Sequence, residues 1–149
     1  MNDCIFCKII RGEIPASKIW EDADHIAILD AFPNTQGMAL VLTKKHFGSY
    51  AFDMPEHDYS ELMKASRLVG KLLDKKLNVG RTAMVLEGMG VDHIHVKLYP
   101  LHGLKKHFST IENSERKFFE KYEGYITTLM GPKADKKELD TIAKKIRDD

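Results

Sequence analysis

No stretch of this 149-residue chain approaches the run of about 20 apolar residues that a bilayer-crossing helix needs. An excess of charge is missing as well. Lys and Arg number 23 against 22 Asp and Glu, a formal net charge of +1, so nothing global favours a nucleic-acid or membrane partner. Met1-Asn2-Asp3-Cys4 has neither the basic region nor the apolar stretch of a secretory signal, and a cytoplasmic protein is expected. Internal repeats and low-complexity linkers are absent too. What is present is a hydrophobic fraction of 43% in a length suited to one domain, so 1–149 is expected to form a single core.

Cysteine is scarce, and both residues fall in one Cys4-Ile5-Phe6-Cys7 unit. Such a pair is a redox couple, half of a zinc site, or two ordinary buried thiols. A thioredoxin-like couple normally follows a strand, and here no strand precedes the motif. A disulfide between these two would close almost no loop and stabilise little. Zinc would require two further ligands from elsewhere.

The periodicities predict an α+β domain on an antiparallel sheet. Ile5 to Ile10 suits a turn or two of helix. Lys18 to Glu21 and His25 to Asp30 read as strands joined by an Asp22-Ala23-Asp24 turn. Met38 to Leu42 is a third, nearly continuous apolar strand. Tyr59, Leu62, Ala65, Leu68, Val69, Leu72 and Leu73 recur at three- and four-residue spacing, predicting a long helix with Asp53 as N-cap and Pro55 in the first turn. It should end near Leu77 to Gly80. Thr82 to Leu86 and Val91 to Tyr99 follow as strands four and five. Phe118 to Leu129 and Asp135 to Arg147 then suggest a C-terminal helical extension over about 112–149.

The fifth strand holds the densest chemistry. In His93-Ile94-His95-Val96-Lys97-Leu98-Tyr99, polar and β-branched or aliphatic residues alternate, the pattern of a strand with one buried face. Ile94, Val96 and Leu98 should meet the core. His93, His95 and Lys97 then share the other face, suited to an anion or a metal; the plainer reading is a solvated face that happens to carry two histidines.

Several ordered blocks resemble the histidine triad (HIT) family of nucleotide-binding proteins over about 4–101. They are Cys4 to Ile10 with Gly12-Glu13-Ile14-Pro15, then Ala27-Ile28-Leu29-Asp30, Pro33 and Gly37, Leu40-Val41 through Lys44-Lys45-His46, and His93 to Pro100. The resemblance implies a five-stranded antiparallel sheet, usually paired across a homodimer. It also implies structural zinc on Cys4, Cys7, His46 and His93, a closed set with no position for substrate. His95 would be the nucleophile, forming a covalent nucleotidyl-histidine at the α-phosphate of a purine nucleotide conjugate. That demands a neutral imidazole whose near nitrogen donates to a fixed acceptor; the family uses a backbone carbonyl. Asp30 would accept hydrogen bonds from the ribose hydroxyls, unless it only forms the turn before Phe32. Ile19, Trp20 and Leu29 are candidates for the base pocket.

Two departures stand out. Lys97 replaces the third histidine of the triad. The Asn and Gln-Ser pair usual before the triad give way to Glu87-Gly88-Met89-Gly90-Val91-Asp92, so phosphate would have to rely on the N–H groups of Gly88 and Gly90 and on the Lys97 ammonium as a fixed charge. The basic run His102 to His107 would either extend the phosphate site or form a solvated loop. His25 and His57 read as surface residues. Three functions compete: a nucleotidyl hydrolase or transferase on phosphoramidates or dinucleoside polyphosphates, a nucleotide-binding module with little turnover, and a redox protein, the last disfavoured if zinc holds both thiolates.

Overall fold

A computed structural model describes residues 3–110, 118–122 and 130–148. Five strands form one sheet in the order β1-β2-β3-β5-β4, each neighbour antiparallel. The strands are β1 (Lys18–Glu21), β2 (His25–Leu29), β3 (Ala39–Thr43), β4 (Thr82–Val85) and β5 (His95–Pro100). The helices are α1 (Ile5–Ile10), α2 (Glu56–Leu77) and α3 (Lys136–Arg147), with a single 3₁₀ turn at Ala51–Asp53.

Both faces of the sheet are covered. On one side Leu62, Ala65, Val69 and Leu73 of α2 join Leu139, Ala143 and Ile146 of α3 against Ala27, Val41, Val96 and Leu98. On the other, Phe6 of α1 packs on Ile26, Ile28, Leu40 and Leu42. Double coverage explains why β2 and β3 are apolar at nearly every position and buried throughout. The periodicity of α2 overreaches at one point: Leu68 faces outward, 52% exposed.

Asp53 does not cap α2. It ends the 3₁₀ turn, and Pro55 precedes the helix. The ring of Pro55 disfavours helical geometry at the residue before it, and Met54 is accordingly extended, with ψ 146°. The helix therefore starts only after Pro55, whose carbonyl accepts from the Tyr59 N–H. At the other end Asn78 adopts a left-handed conformation, φ 53°, a common helix stop.

β5 also starts later than its alternation suggests. Its ladder with β3 ends at the Leu42–His95 pair, because the Ile94 N–H turns to the Phe47 carbonyl at 3.1 Å and the Thr43 carbonyl accepts from the His93 side chain. Residues 91–94 thus form a bend rather than strand.

Asp135 caps α3 by accepting from the N–H groups of Lys137 and Glu138. The helix is tied to β1 through Ser17, whose hydroxyl donates to Asp140 at 2.8 Å. The segment 118–122, expected as helix, is irregular; the rest of that expectation, 123–129, lies outside the described residues.

Candidate functional site

Two constellations share the β5 approach. The first gathers Cys4, Cys7, His46 and His93, whose ligand atoms lie within 4.8 Å of one another. Cys4 is the N-cap of α1 and Cys7 lies in its first turn, His46 comes from the loop just after β3, and His93 from the bend before β5. Cys4 Sγ lies 3.5 Å from His93 Nδ1, Cys7 Sγ 3.4 Å from His46 Nδ1, and the two Nδ1 atoms 3.2 Å apart.

Those separations test the fit to a metal. Bonds of about 2.3 Å to sulfur and 2.0 Å to nitrogen place tetrahedral S and N neighbours about 3.5 Å apart and two N neighbours about 3.3 Å apart. These three pairs already have those spacings. The His93 Nε2–H donates to the Thr43 carbonyl at 2.8 Å, which leaves the Nδ1 lone pair for the cluster, the tautomer a ligand needs. Burial pushes the Cys7 thiol up, and the neighbouring Cys4 adds to this; a bound cation reverses that preference and holds thiolates. The donor set fits zinc.

The second constellation is a cavity of about 360 Å³ lined by His95, Lys97, Tyr99, Asp30, Leu29 and Gly90, with an apolar wall that includes Ile5, Phe6, Ile9, Ile14, Phe32, Met130 and Leu139. His95 is only 4% exposed, and its Nδ1–H donates to the His93 carbonyl at 2.7 Å. Nε2 is therefore the unprotonated nitrogen. Burial is the main force holding the His95 imidazolium below its ordinary range; the His93 carbonyl opposes it and Lys97 adds to it. Phe6 meets the His95 ring edge-on at 5.2 Å. The polar face of β5 is thus covered by α1 instead of being solvated.

His93 serves both constellations with different atoms. Its Nδ1 enters the cluster and its carbonyl sets the His95 tautomer.

Lys97 lines the cavity but pairs with Glu87, the two side chains being 14% and 5% exposed. Burial opposes ionisation of Glu87; the Lys97 ammonium and the Met89 N–H nevertheless hold it below the usual carboxylate range. Asp30 uses one oxygen for the turn, accepting from Phe32 N–H at 2.8 Å, and also lines the cavity. Burial raises the Tyr99 hydroxyl, as do the Asp30 and Glu87 charges.

Several expectations about placement are corrected. Gly88 does not line the cavity. Its φ is +69°, and a Cβ there would come within 2.6 Å of the Ser49 carbonyl, so glycine is required for close packing of two loops. Ile19 is core and Trp20 packs beside it, away from the cavity. The basic run lies elsewhere: Lys105, Lys106 and His107 line a separate cavity with Arg81. His25 is buried, with Nδ1 3.2 Å from Asp22, while His57 is exposed.

Sequence reasoning did not assign Glu87, Tyr99, Phe6 or the α3 residues to the site. For Tyr99 a signal was present, since it continues the alternation of His95 and Lys97. Glu87 lies two residues past Val85, the partner of Lys97 in the β4–β5 ladder. That register is a tertiary fact.

A sheet of this topology with histidines at its centre defines the class. A model of the HIT domain matches residues 11–104, and the chain belongs to that family. An uncharacterized HIT-like protein of Methanocaldococcus jannaschii is 38% identical over 106 residues, 65% of this chain and 78% of its own length. An adenosine 5′-monophosphoramidase of Saccharomyces cerevisiae is 37% identical over 103 residues, 65% of this chain and 61% of its own. Among solved structures, a hypothetical histidine triad nucleotide-binding protein from Sulfolobus tokodaii superimposes with a TM-score of 0.73 at 26% identity, over 97% of this chain and 89% of that one. A Zn-bound histidine triad protein from Mycobacterium smegmatis does so at 0.69 and 21%, over 98% and 91%. Among the described residues, no helix is long and apolar enough to cross a membrane.

Proposed function

We propose that this protein is a nucleotidyl hydrolase or transferase acting at the α-phosphate of purine nucleotide conjugates, through a covalent nucleotidyl-histidine on His95. The observation that carries this reading is the His95 ring, buried, held toward its neutral form by that burial, and fixed by a hydrogen bond from Nδ1 to the His93 carbonyl. An imidazole so held is a nucleophile needing no prior deprotonation. The kinship to a relative named an adenosine 5′-monophosphoramidase supports it.

In the proposed reaction the Nε2 lone pair bonds to phosphorus as the bond to the leaving group breaks, and the departing group takes a proton from solvent. Water then adds to phosphorus, the N–P bond breaks, and the nucleoside monophosphate departs as His95 returns to its neutral form. Asp30 offers its second carboxylate oxygen to the ribose hydroxyls. Leu29 and the apolar wall receive the base, Gly90 lies at the phosphate end, and the Lys97 ammonium stabilises charge on the phosphoryl oxygens.

Zinc on Cys4, Cys7, His46 and His93 is proposed as a structural ion that pins α1 and the His93 backbone to the sheet; with four protein ligands it has no open position for substrate. A homodimer, implied by the resemblance, and a cytoplasmic location, expected from the sequence, are proposals. The dimer accords with β4 forming a sheet edge that exposes Met84.

A second reading, a binding module with little turnover, is favoured by one observation: Lys97 already has a carboxylate partner. The test is AMP release from adenosine 5′-phosphoramidate and diadenosine tetraphosphate. The natural chain should release AMP, and His95→Ala should do so about 10³-fold more slowly or less with AMP affinity nearly unchanged. Equal rates would sink the nucleophile. Binding of AMP without release from either compound would establish the module.

A further inference from the structure

We propose that Glu87 is a specificity-determining residue, whose carboxylate neutralises Lys97 and so selects conjugates with an unphosphorylated leaving group, phosphoramidates, over polyphosphate-bridged ones. This rests on the catalytic reading above.

The inference begins with charge. Among the described residues, the cations lining the cavity are Lys97 and Lys136, and each is already paired. Lys97 meets Glu87, and Lys136 Nζ lies 2.6 Å from both oxygens of Asp140. Asp30 adds a third carboxylate. Two lysines against three carboxylates leave one negative charge beside His95. The basic residues that would offset a phosphate chain, Arg81, Lys105 and Lys106, belong to the other cavity.

The loop offers little compensation. The second oxygen of Glu87 accepts from Met89 N–H at 2.9 Å, so that amide is already engaged. Gly88 is turned against Ser49. While paired with Glu87, Lys97 can share its charge with the α-phosphoryl oxygens alone; to offset a further phosphate it must give up Glu87 and leave a 5% exposed carboxylate without its counter-charge, which is strongly unfavourable. An amine leaving group makes no such demand.

The test compares kcat/KM for adenosine 5′-phosphoramidate and diadenosine tetraphosphate in the natural chain, Glu87→Gln and the Glu87→Gln/Lys97→Gln pair. The natural chain should favour the phosphoramidate. Glu87→Gln frees one positive charge and should shift the ratio toward the tetraphosphate on the order of tenfold. The double variant restores a pair of zero net charge and should return toward the original ratio. A ratio within twofold of the original in Glu87→Gln, or a natural chain that prefers the tetraphosphate, overturns the assignment. Should Glu87→Gln fail to fold, inhibition of the natural chain decides. ADP and ATP should bind no tighter than AMP, and a tenfold gain per added phosphate overturns the proposal. Full activity in His95→Ala would remove the underlying reading instead, so the two failures are distinguishable.

Discussion

His93 and His95 stand two residues apart on one side of the same chain segment, yet their surroundings are built on opposite plans. His93 is wholly buried, with Nε2 bound to the Thr43 carbonyl and Nδ1 facing two sulfurs and a second imidazole. Nothing about it is left open to a small molecule. His95 is nearly as buried, but only Nδ1 has a protein partner in the site described, and the ring lines a cavity. Closure suits a structural metal, whereas one fixed and one free nitrogen suit a reaction. The difference arises in the backbone: the β3 ladder stops at His95, so His93 leaves the sheet and turns toward α1.

The sharpest way to break that contrast is His93→Ala. It removes a ligand atom from the cluster but leaves the backbone carbonyl that orients His95. Zinc content should fall, and stability should drop by about 5 kcal/mol, read by chemical denaturation and metal analysis. Activity in the protein that remains folded should fall far less than in His95→Ala. If His93→Ala abolished turnover while keeping metal and stability, the division of labour between the two histidines would be wrong.

Asp30→Asn probes the open site with less damage. The amide oxygen can still accept from Phe32 N–H, so the turn should survive. Only the carboxylate proposed for the ribose is lost, and KM should rise by about 1.5–3 kcal/mol equivalent, with kcat and melting temperature nearly unchanged. A fall in melting temperature without a change in KM would return Asp30 to a purely structural role.

The smallest effect comes from setting the dry Lys97–Glu87 pair against a wet one. Glu21 lies between Lys18 and Lys44, which hold its carboxyl down at about 2. A lowered folded-state value contributes stability that is complete above the ordinary carboxylate range and is lost as pH falls through about 4.5 toward 2. Because Glu21 is more than a third exposed, solvent screening limits the benefit to about 1 kcal/mol or less. Glu21→Gln should therefore be slightly destabilised at pH 7 and match the natural chain near pH 2.

How much was legible follows from the range of each interaction. Alternation in 93–99 assigned Ile94, Val96 and Leu98 to the core, and the apolar runs located β2 and β3, because side chains two apart on a strand share a face whatever the fold around them. The same rule could not say that the polar face is covered, since its cover is Phe6, a residue almost ninety positions away. Nor could it end β5 at His95, a limit set where the Ile94 N–H turns to the Phe47 carbonyl and the His93 side chain takes the Thr43 carbonyl.

For the site, Cys4-x-x-Cys7 declared two possible ligands because its spacing fits one helical turn, and the resemblance supplied His46 and His93. Their convergence within 4.8 Å required α1 to fold back onto the sheet. The candidate nucleophile, the carboxylate proposed for the ribose and the proposed metal donors were therefore named from residue types and their order together with the resemblance. The charge of the cavity was not. Glu87 reaches Lys97 through the β4–β5 register, and α3 delivers Lys136 and Leu139 from outside residues 11–104. A side chain's chemistry belongs to its own position, but its neutralisation and its exclusion from water depend on partners distant in the chain, and only tertiary packing brings those together.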